Sequence, residues 1–250
     1  MLDSFVEKLK NGKHVLGPFM KTGDPAFVEI AGYAGFDFVI IDMEHGPTNE
    51  LALQNHIRAA SCAGVLPIVR VGKLDEVSIA RTLDVGALGV QVPQIETAED
   101  AALAVRYAKY APEGMRGVCR FVRAANYSAK DRFEYFKEAN RSLLVLMLEG
   151  SKAIENMDSI FDVDGIDIVF IGPYDLSQSL GVPGQIDHPL VEERMRFVIE
   201  KAKAKGIVVG TFADQPATAK KWKDLGVQYI GYSVDVGIFY EACKSLAESI

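Results

Sequence analysis

The sequence predicts a (β/α)8 barrel, on three observations. Short apolar runs recur eight times, a helical pattern fills each of the seven intervals between them, and a glycine repeatedly stands where helix gives way to strand. The runs cover residues 14–20, 38–42, 67–71, 89–93, 143–149, 167–171, 207–211 and 229–233. They rarely alternate apolar with polar, so they read as strands covered on both faces, the habit of a parallel sheet. Gly35, Gly64, Gly86, Gly206 and Gly226 each follow an amphipathic stretch, where a left-handed residue ends a helix at little cost. An open doubly wound sheet is the alternative, weakened because no GxGxxG or P-loop pattern follows the first strand.

The elements follow in order. The start, MLDSFVEKLKNGK, is charged and amphipathic and lacks the apolar stretch of a secretory leader. Asp24 before Pro25 marks a helix N-terminus. The second strand lies in FVIIDMEHGP, where a dry β-branched run opens at once into Asp42, Glu44 and His45 and is stopped by Gly46 and Pro47. Thr97 with Asp100 resembles a capping box. The widest gap, residues 96–142, holds a helix over 97–110, then YAPEGMRGVCRFVRAANY, then a helical pattern over 131–140. Long segments after barrel strands often serve as lids or interface arms. An irregular stretch, GPYDLSQSLGVPGQIDHP, follows the sixth strand, and Trp222 reads as helix packing. Residues 238–250 read as a last helix, apolar enough to suit subunit contacts. No linker composition divides the chain, so residues 1–250 are expected to form one barrel domain.

Composition narrows the function. A formal net charge of -7 disfavours nucleic acid and anionic membrane as partners, though an arginine or a metal can reverse the field locally for an anionic small molecule. No apolar run reaches the roughly 18 residues of a membrane span. The three cysteines, Cys62, Cys119 and Cys243, are scattered and form no CxxC, which fits a reducing cytoplasm.

In a barrel, polar residues just after the strands meet at the C-terminal mouth. They are His45 after the second strand, Arg70 at the third, Glu149 at the fifth and Asp175 after the sixth. Glu149 could equally cap the next helix, and Asp175 could be an N-cap. Two carboxylates completed by water and substrate oxygens suit a hard divalent ion, Mg2+ or Mn2+ with Co2+ also possible, whereas zinc would want more His or Cys. Gly172 and Pro173 stand where backbone must come close to a ligand and hold a small carboxylate. A Schiff-base route needs a buried lysine at the mouth, and only Lys21, at the very end of the first strand, approaches that place. His14 and His56 read as surface or core residues, His188 as a turn residue, and Arg116 and Arg120 as surface pairs that could otherwise reach a substrate carboxylate across a subunit boundary.

The segments DFVIIDMEHGP, PIVRVG, TLDVGALGVQVPQIETAEDA, YAPEGMRGV, the Glu of LEG, and VFIGPYDLSQSLG occur in an order that resembles the HpcH/HpaI class II pyruvate aldolases. That family includes 2-oxo-3-deoxy sugar-acid aldolases and 4-hydroxy-2-oxoheptanedioate aldolase. The resemblance runs over nearly the whole chain. It implies a (β/α)8 barrel that cleaves a 4-hydroxy-2-oxo acid to pyruvate and an aldehyde, through a pyruvate enolate held on a divalent metal. By the same resemblance Glu149 and Asp175 match the metal ligands and Arg70 the residue that steadies the enolate. His45 matches the base, and Asp84 the acid that raises its basicity. The resemblance also implies a trimer or hexamer. The sequence departs from it at Met147, where many members carry a Gln that contacts substrate, and at Tyr174, where many carry Ala. A thioether is a weak acceptor with no N–H, and a phenol crowds the pocket or adds a hydrogen bond, so both positions bear on substrate identity. Two further readings are another barrel enzyme of phosphoenolpyruvate or pyruvate chemistry (an acyl-CoA lyase or an oxaloacetate decarboxylase), and a 2-oxo-acid binding protein without turnover.

Overall fold

Eight parallel strands, each hydrogen-bonded to the next and the last to the first, close into a barrel. The structure is a computed structural model and describes residues 1–249. The strands are β1 (Val15–Met20), β2 (Phe38–Asp42), β3 (Leu66–Arg70), β4 (Gly89–Val92), β5 (Leu143–Met147), β6 (Ile168–Ile171), β7 (Val208–Ala213) and β8 (Tyr229–Val234). All eight expected strands are present, within one or two residues at each end, and closure rules out the open sheet. The helices are α1 (Leu2–Lys10), α2 (Ala26–Tyr33), α3 (Glu50–Ala63), α4 (Glu76–Asp84), α5 (Ala98–Ala108), α6 (Arg132–Ala139), α7 (Ser151–Glu155), α8 (Met157–Ile160), α9 (Pro173–Ser179), α10 (Pro189–Ala204), α11 (Pro216–Asp224) and α12 (Asp235–Glu248). The last helix begins three residues earlier than expected, and Ile250 lies outside the described residues.

Local chemistry accounts for several boundaries. The Thr97–Asp100 capping box opens α5, and the Asp24 carboxylate accepts the Ala26 N–H at the start of α2. The glycines at 35, 64, 86, 206 and 226 all take positive φ, as a left-handed helix end requires. His188 caps α10 by accepting the Leu190 N–H, which bears out its turn role, and Trp222 is buried under α11.

Two layers of apolar residues hold the fold. One lies between strands and helices, with Val90, Leu144, Leu146, Val169 and Ile171 on its inner side and Met195, Val198 and Ile199 of α10 on its outer side. The other fills the barrel itself: Phe19, Ile40, Ile68, Val145, Met147, Phe170 and Tyr229. Helix α1 closes the N-terminal end of the barrel, where Phe5 sets its ring edge-on to Phe38 at 5.8 Å and Tyr229 at 6.5 Å. Phe38 and Tyr229 stack at 4.3 Å, and room for that stack exists because Gly17 beside it has no side chain. With the N-terminal end plugged, the cavity that opens at the strands' C-terminal ends has one mouth. Among the described residues no helix is long and apolar enough to cross a membrane.

A Cβ at Gly17 would lie 2.1 Å from the Phe38 carbonyl oxygen, a backbone atom that cannot step aside. Gly17→Ala is therefore expected to destabilise the barrel by roughly 3 kcal/mol, the cost of overpacking a dense core. The urea unfolding midpoint measures it, and a shift equal to that of a surface Gly→Ala control would refute this account of the core.

Candidate active site

The mouth is built on one buried ion pair. Asp42 ends β2 and Arg70 ends β3, and the parallel register sets them side by side. Arg70 donates from Nε to Asp42 Oδ1 at 3.0 Å and from Nη2 to Oδ2 at 2.7 Å, a two-point fork. Asp42 Oδ1 also accepts the backbone N–H groups of Glu44 and His45, each at 3.1 Å, which folds the chain after β2 back over the strand end. Arg70 Nη1 reaches Glu44 Oε2 at 3.0 Å, and the guanidinium lies over the Phe19 ring at 4.9 Å. Burial opposes the charge on Asp42, but the hydrogen bonds and positive charge of Arg70 outweigh it and hold the carboxyl below its usual range.

Across the mouth stand Glu149, just after β5, and Asp175, in the first turn of α9. Gly172 between them brings its backbone close. A Cβ there would lie 3.2 Å from Glu149 Oε1 and 3.4 Å from Asp175 Oδ2, so both carboxylates border one small space. Gln94 takes a left-handed φ of 58° after β4, and its backbone N–H is 3.2 Å from Glu149 Oε2. Burial, then the charges of Asp175 and Glu44, push the Glu149 carboxyl up to about 7. Glu44 is raised as well, chiefly by burial, with Arg70 opposing. This is an electrostatic surplus of negative charge around a space lined with oxygen, which suits a hard cation that draws its other ligands from water and substrate. Among the described residues no group of three or more His, Cys, Asp and Glu adopts a metal-holding arrangement.

Arg70, Gly172 and Asp175 line a cavity of about 320 Å³ together with Lys21, His45, Met147, Pro173 and Tyr174. The His45 ring stands at the rim, mostly exposed, with Nε2 3.9 Å from Glu44 Oε2. Met147 is not idle as a polar partner: the fully buried Gln91 amide donates to its sulfur at 3.2 Å, and Tyr229 donates to Gln91 at 3.3 Å. Tyr174 donates its hydroxyl to Asp214 at 2.8 Å. Burial, then that bond and the Asp214 charge, raise the phenol to about 12, so it keeps its proton.

The structure thus gathers His45, Arg70, Met147, Glu149, Gly172, Pro173, Tyr174 and Asp175 at one mouth. It does not bring Asp84 there. Asp84 ends α4, which runs back to the N-terminal side of the barrel, and it pairs with the buried Arg116. Within one chain Asp84 therefore does not lie beside His45, and the carboxylate beside that ring is Glu44. Arg116 is correspondingly no surface pair, since its guanidinium is buried and lies 4.7 Å from the Tyr110 ring centroid. Asp175 is not an N-cap, a position held by Gly172, and Glu149 does not cap α7, whose N-cap is Gly150. His56 is a core residue with both ring nitrogens on backbone carbonyls, of Ala52 and Thr22. Asp42, Glu44, Gln91 and Gln94 were missed as site residues. The signal for the first two was in FVIIDMEHGP; the other two carried none that periodicity reveals.

With the geometry in hand, comparison with known proteins is decisive. The profile of the HpcH/HpaI aldolase/citrate lyase family matches residues 16–242. The chain belongs to that family. A 2-keto-3-deoxy-L-rhamnonate aldolase of Salmonella gallinarum (strain 287/91 / NCTC 13346) is 36% identical over 243 residues, 96% of this chain and 90% of that protein. A 5-keto-4-deoxy-D-glucarate aldolase of Enterobacter sp. (strain 638) is 32% identical over 235 residues, 94% of this chain and 91% of that protein. The crystal structure of a family protein from Burkholderia cenocepacia J2315 superposes with a TM-score of 0.93 at 32% identity, covering 98% of each chain.

Removing one partner of the Asp42–Arg70 pair leaves a buried charge alone. Asp42→Ala is expected to cost about 3–5 kcal/mol of stability, and Asp42→Asn less, because an amide oxygen can still accept from Glu44 and His45. Denaturant titration of both variants checks the order, and equal small losses would show that the pair is not the keystone of the mouth.

Proposed function

We propose that the protein is a metal-dependent aldolase that reversibly cleaves a 4-hydroxy-2-oxo acid to pyruvate and an aldehyde. The observation that carries this reading is the convergence of Glu149 and Asp175 on the glycine-lined space at the mouth, in a chain whose relatives are named aldolases. Glu149 and Asp175 hold the ion, Mg2+ or Mn2+ with Co2+ also accepted. Bound there, a divalent ion supplies Lewis-acid polarisation of the 2-oxo group.

The chain's own residues divide the rest of the work. Arg70 spends three of its five N–H groups on Asp42 and Glu44, and these fix the plane in which the other two face the oxyanion that develops at C2. Because Asp42 and Glu44 prevent it from swinging, that stabilisation needs little reorganisation. His45, at the rim beside Glu44, takes the proton of the 4-hydroxyl as the C3–C4 bond breaks and returns it in the reverse addition. Pro173 starts α9 and leaves the N–H groups of its first turn without a side-chain cap, directed to the substrate carboxylate. Met147 forms an apolar floor steadied by Gln91, and Tyr174 narrows the aldehyde side.

We further read the chain as a homo-oligomer, a trimer or hexamer, in a reducing cytoplasm. Phe239, Tyr240 and Leu246 of α12, and Val118 and Phe121 of the segment after α5, are exposed on the single chain, and such apolar surface favours burial between copies. The three thiols are free.

Glu149→Ala or Asp175→Ala is expected to abolish divalent-ion binding and pyruvate formation while circular dichroism stays that of a barrel. Full turnover by chelator-treated protein with no ion restored would sink the assignment. His45→Ala should lower cleavage by about 10²–10⁴-fold with a much smaller effect on pyruvate binding; an unchanged rate would remove it from the reaction.

The raised Glu149 carboxyl has a pH signature. An ion must displace its proton, so ion affinity should rise about tenfold per pH unit below about 7 and level off above. In the metal-free protein the same group favours the fold below its ordinary value of 4.5, and that contribution is lost as pH rises through about 7. Calorimetric titration with Mn2+ across this range checks the slope, and a flat profile would refute it.

A further inference from the structure

Glu149 and Asp175 border one space, but they are held there differently. Glu149 has a bond of its own, from the Gln94 backbone N–H at 3.2 Å. Asp175 sits in the first turn of α9, and among the described residues nothing hydrogen-bonds its carboxylate. Helix α9 is seven residues long, and no side chain among the described residues caps its start. A helix so short gains little stability from its own hydrogen bonds. What keeps Asp175 beside Glu149 therefore lies outside the helix.

The neighbouring strand supplies it. β6 and β7 run in register, with Ile171 opposite Thr211. The fully buried Thr211 donates its hydroxyl to the Ile171 carbonyl at 2.9 Å. Three residues further along both segments, Tyr174 donates its hydroxyl to Asp214 Oδ2 at 2.8 Å. The stretch from Ile171 to Tyr174 is thus tied to β7 and its exit at both ends. Gly172, whose backbone borders both carboxylates, lies between the ties.

Tyr174 itself is well seated. Its ring meets Phe212 edge-on at 6.0 Å. Its carbonyl oxygen accepts the Ser177 hydroxyl at 2.6 Å, and Ser177 Oγ accepts the Gly184 N–H at 2.9 Å. Asp175 follows Tyr174 directly, so a swing of the chain at this point carries its carboxylate away from Glu149. The outer tie does little for the fold, because Tyr174 is 43% exposed and a hydrogen bond there competes with water. Its value lies in orientation. Groups that orient an ion's ligands are worth about 10–100-fold in affinity.

We propose that Tyr174 is a positioning residue for the divalent ion: its bond to Asp214 fixes the first turn of α9 and so preorganises Asp175. The assignment rests on the reading above that Glu149 and Asp175 hold the ion.

The test titrates the full chain with Mn2+ by calorimetry and measures urea unfolding without added metal. Tyr174→Phe keeps the ring on Phe212 and removes the hydroxyl. It is expected to weaken Mn2+ binding about tenfold, the lower end of that range, with an unfolding midpoint near that of the wild type. Asp214→Ala should weaken binding to a similar degree, and the double variant no further, because both changes remove one bond. Asp214→Asn removes the charge but keeps an oxygen that accepts from the phenol, so it should retain most of the affinity. Wild-type affinity in Tyr174→Phe overturns the proposal. So does a loss in Asp214→Asn as large as in Asp214→Ala, which would make the effect the charge of Asp214 alone. A loss of affinity that comes with a large fall in the midpoint marks a folding role and overturns it too. Glu149→Ala separates this inference from the reading beneath it. Undiminished Mn2+ binding by that variant overturns the ion site and Tyr174 with it, whereas abolished binding there with wild-type affinity in Tyr174→Phe overturns only the task of Tyr174.

Discussion

The mouth of this barrel depends on the pairing of Asp42 with Arg70. Two charged side chains at the ends of adjacent buried strands would be costly to desolvate one at a time. Together they cancel, and the fork geometry leaves both pointing in one direction only. The backbone turn after β2 hangs from the same carboxylate, so Glu44 and His45 are carried to the rim by a bond that also orients the arginine. A change at this pair propagates to every group on that side of the cavity.

The two sides of the mouth are balanced differently. On the β2–β3 side, acid and base are matched within hydrogen-bond reach. On the β5–β6 side, Glu149 and Asp175 border one space with no basic side chain hydrogen-bonded to Glu149 among the described residues, and burial, then the charges of Asp175 and Glu44, raise the Glu149 carboxyl. Folded proteins rarely keep a buried carboxylate without compensation unless a ligand completes it. The asymmetry is thus informative: one side finishes its own electrostatics and the other leaves them open.

The fold was legible in the sequence because a parallel barrel buries both faces of each strand, and runs such as FVIID, LPIVR and LLVLM hide nothing by alternation. Arg70, Glu149 and Asp175 were legible for a related reason, since polar residues that end such runs project into the mouth. Asp42 was harder. It lies inside the strand, and only the register with β3 shows that its partner is Arg70 and not solvent. Asp84 is a different case: its surroundings in the chain, at the far end of α4 against Arg116, are set by packing that no linear pattern displays. Gln91 and Gln94 were illegible because one acts through a sulfur two strand positions up the neighbouring strand and the other through a backbone N–H turned by an unusual φ.

The plug at the N-terminal end of the barrel has a kinetic consequence. Phe5, Phe38 and Tyr229 seal the floor, so ligands come and go by the same opening. In a blind-ended site the fragment seated deeper cannot depart past the fragment nearer the exit. When one molecule is cleaved into two fragments there, the outer fragment leaves first and the inner last, and in the condensing direction the inner one must be the first to enter. The order of events is set by the architecture of a closed tube, before any difference in affinity between the two fragments.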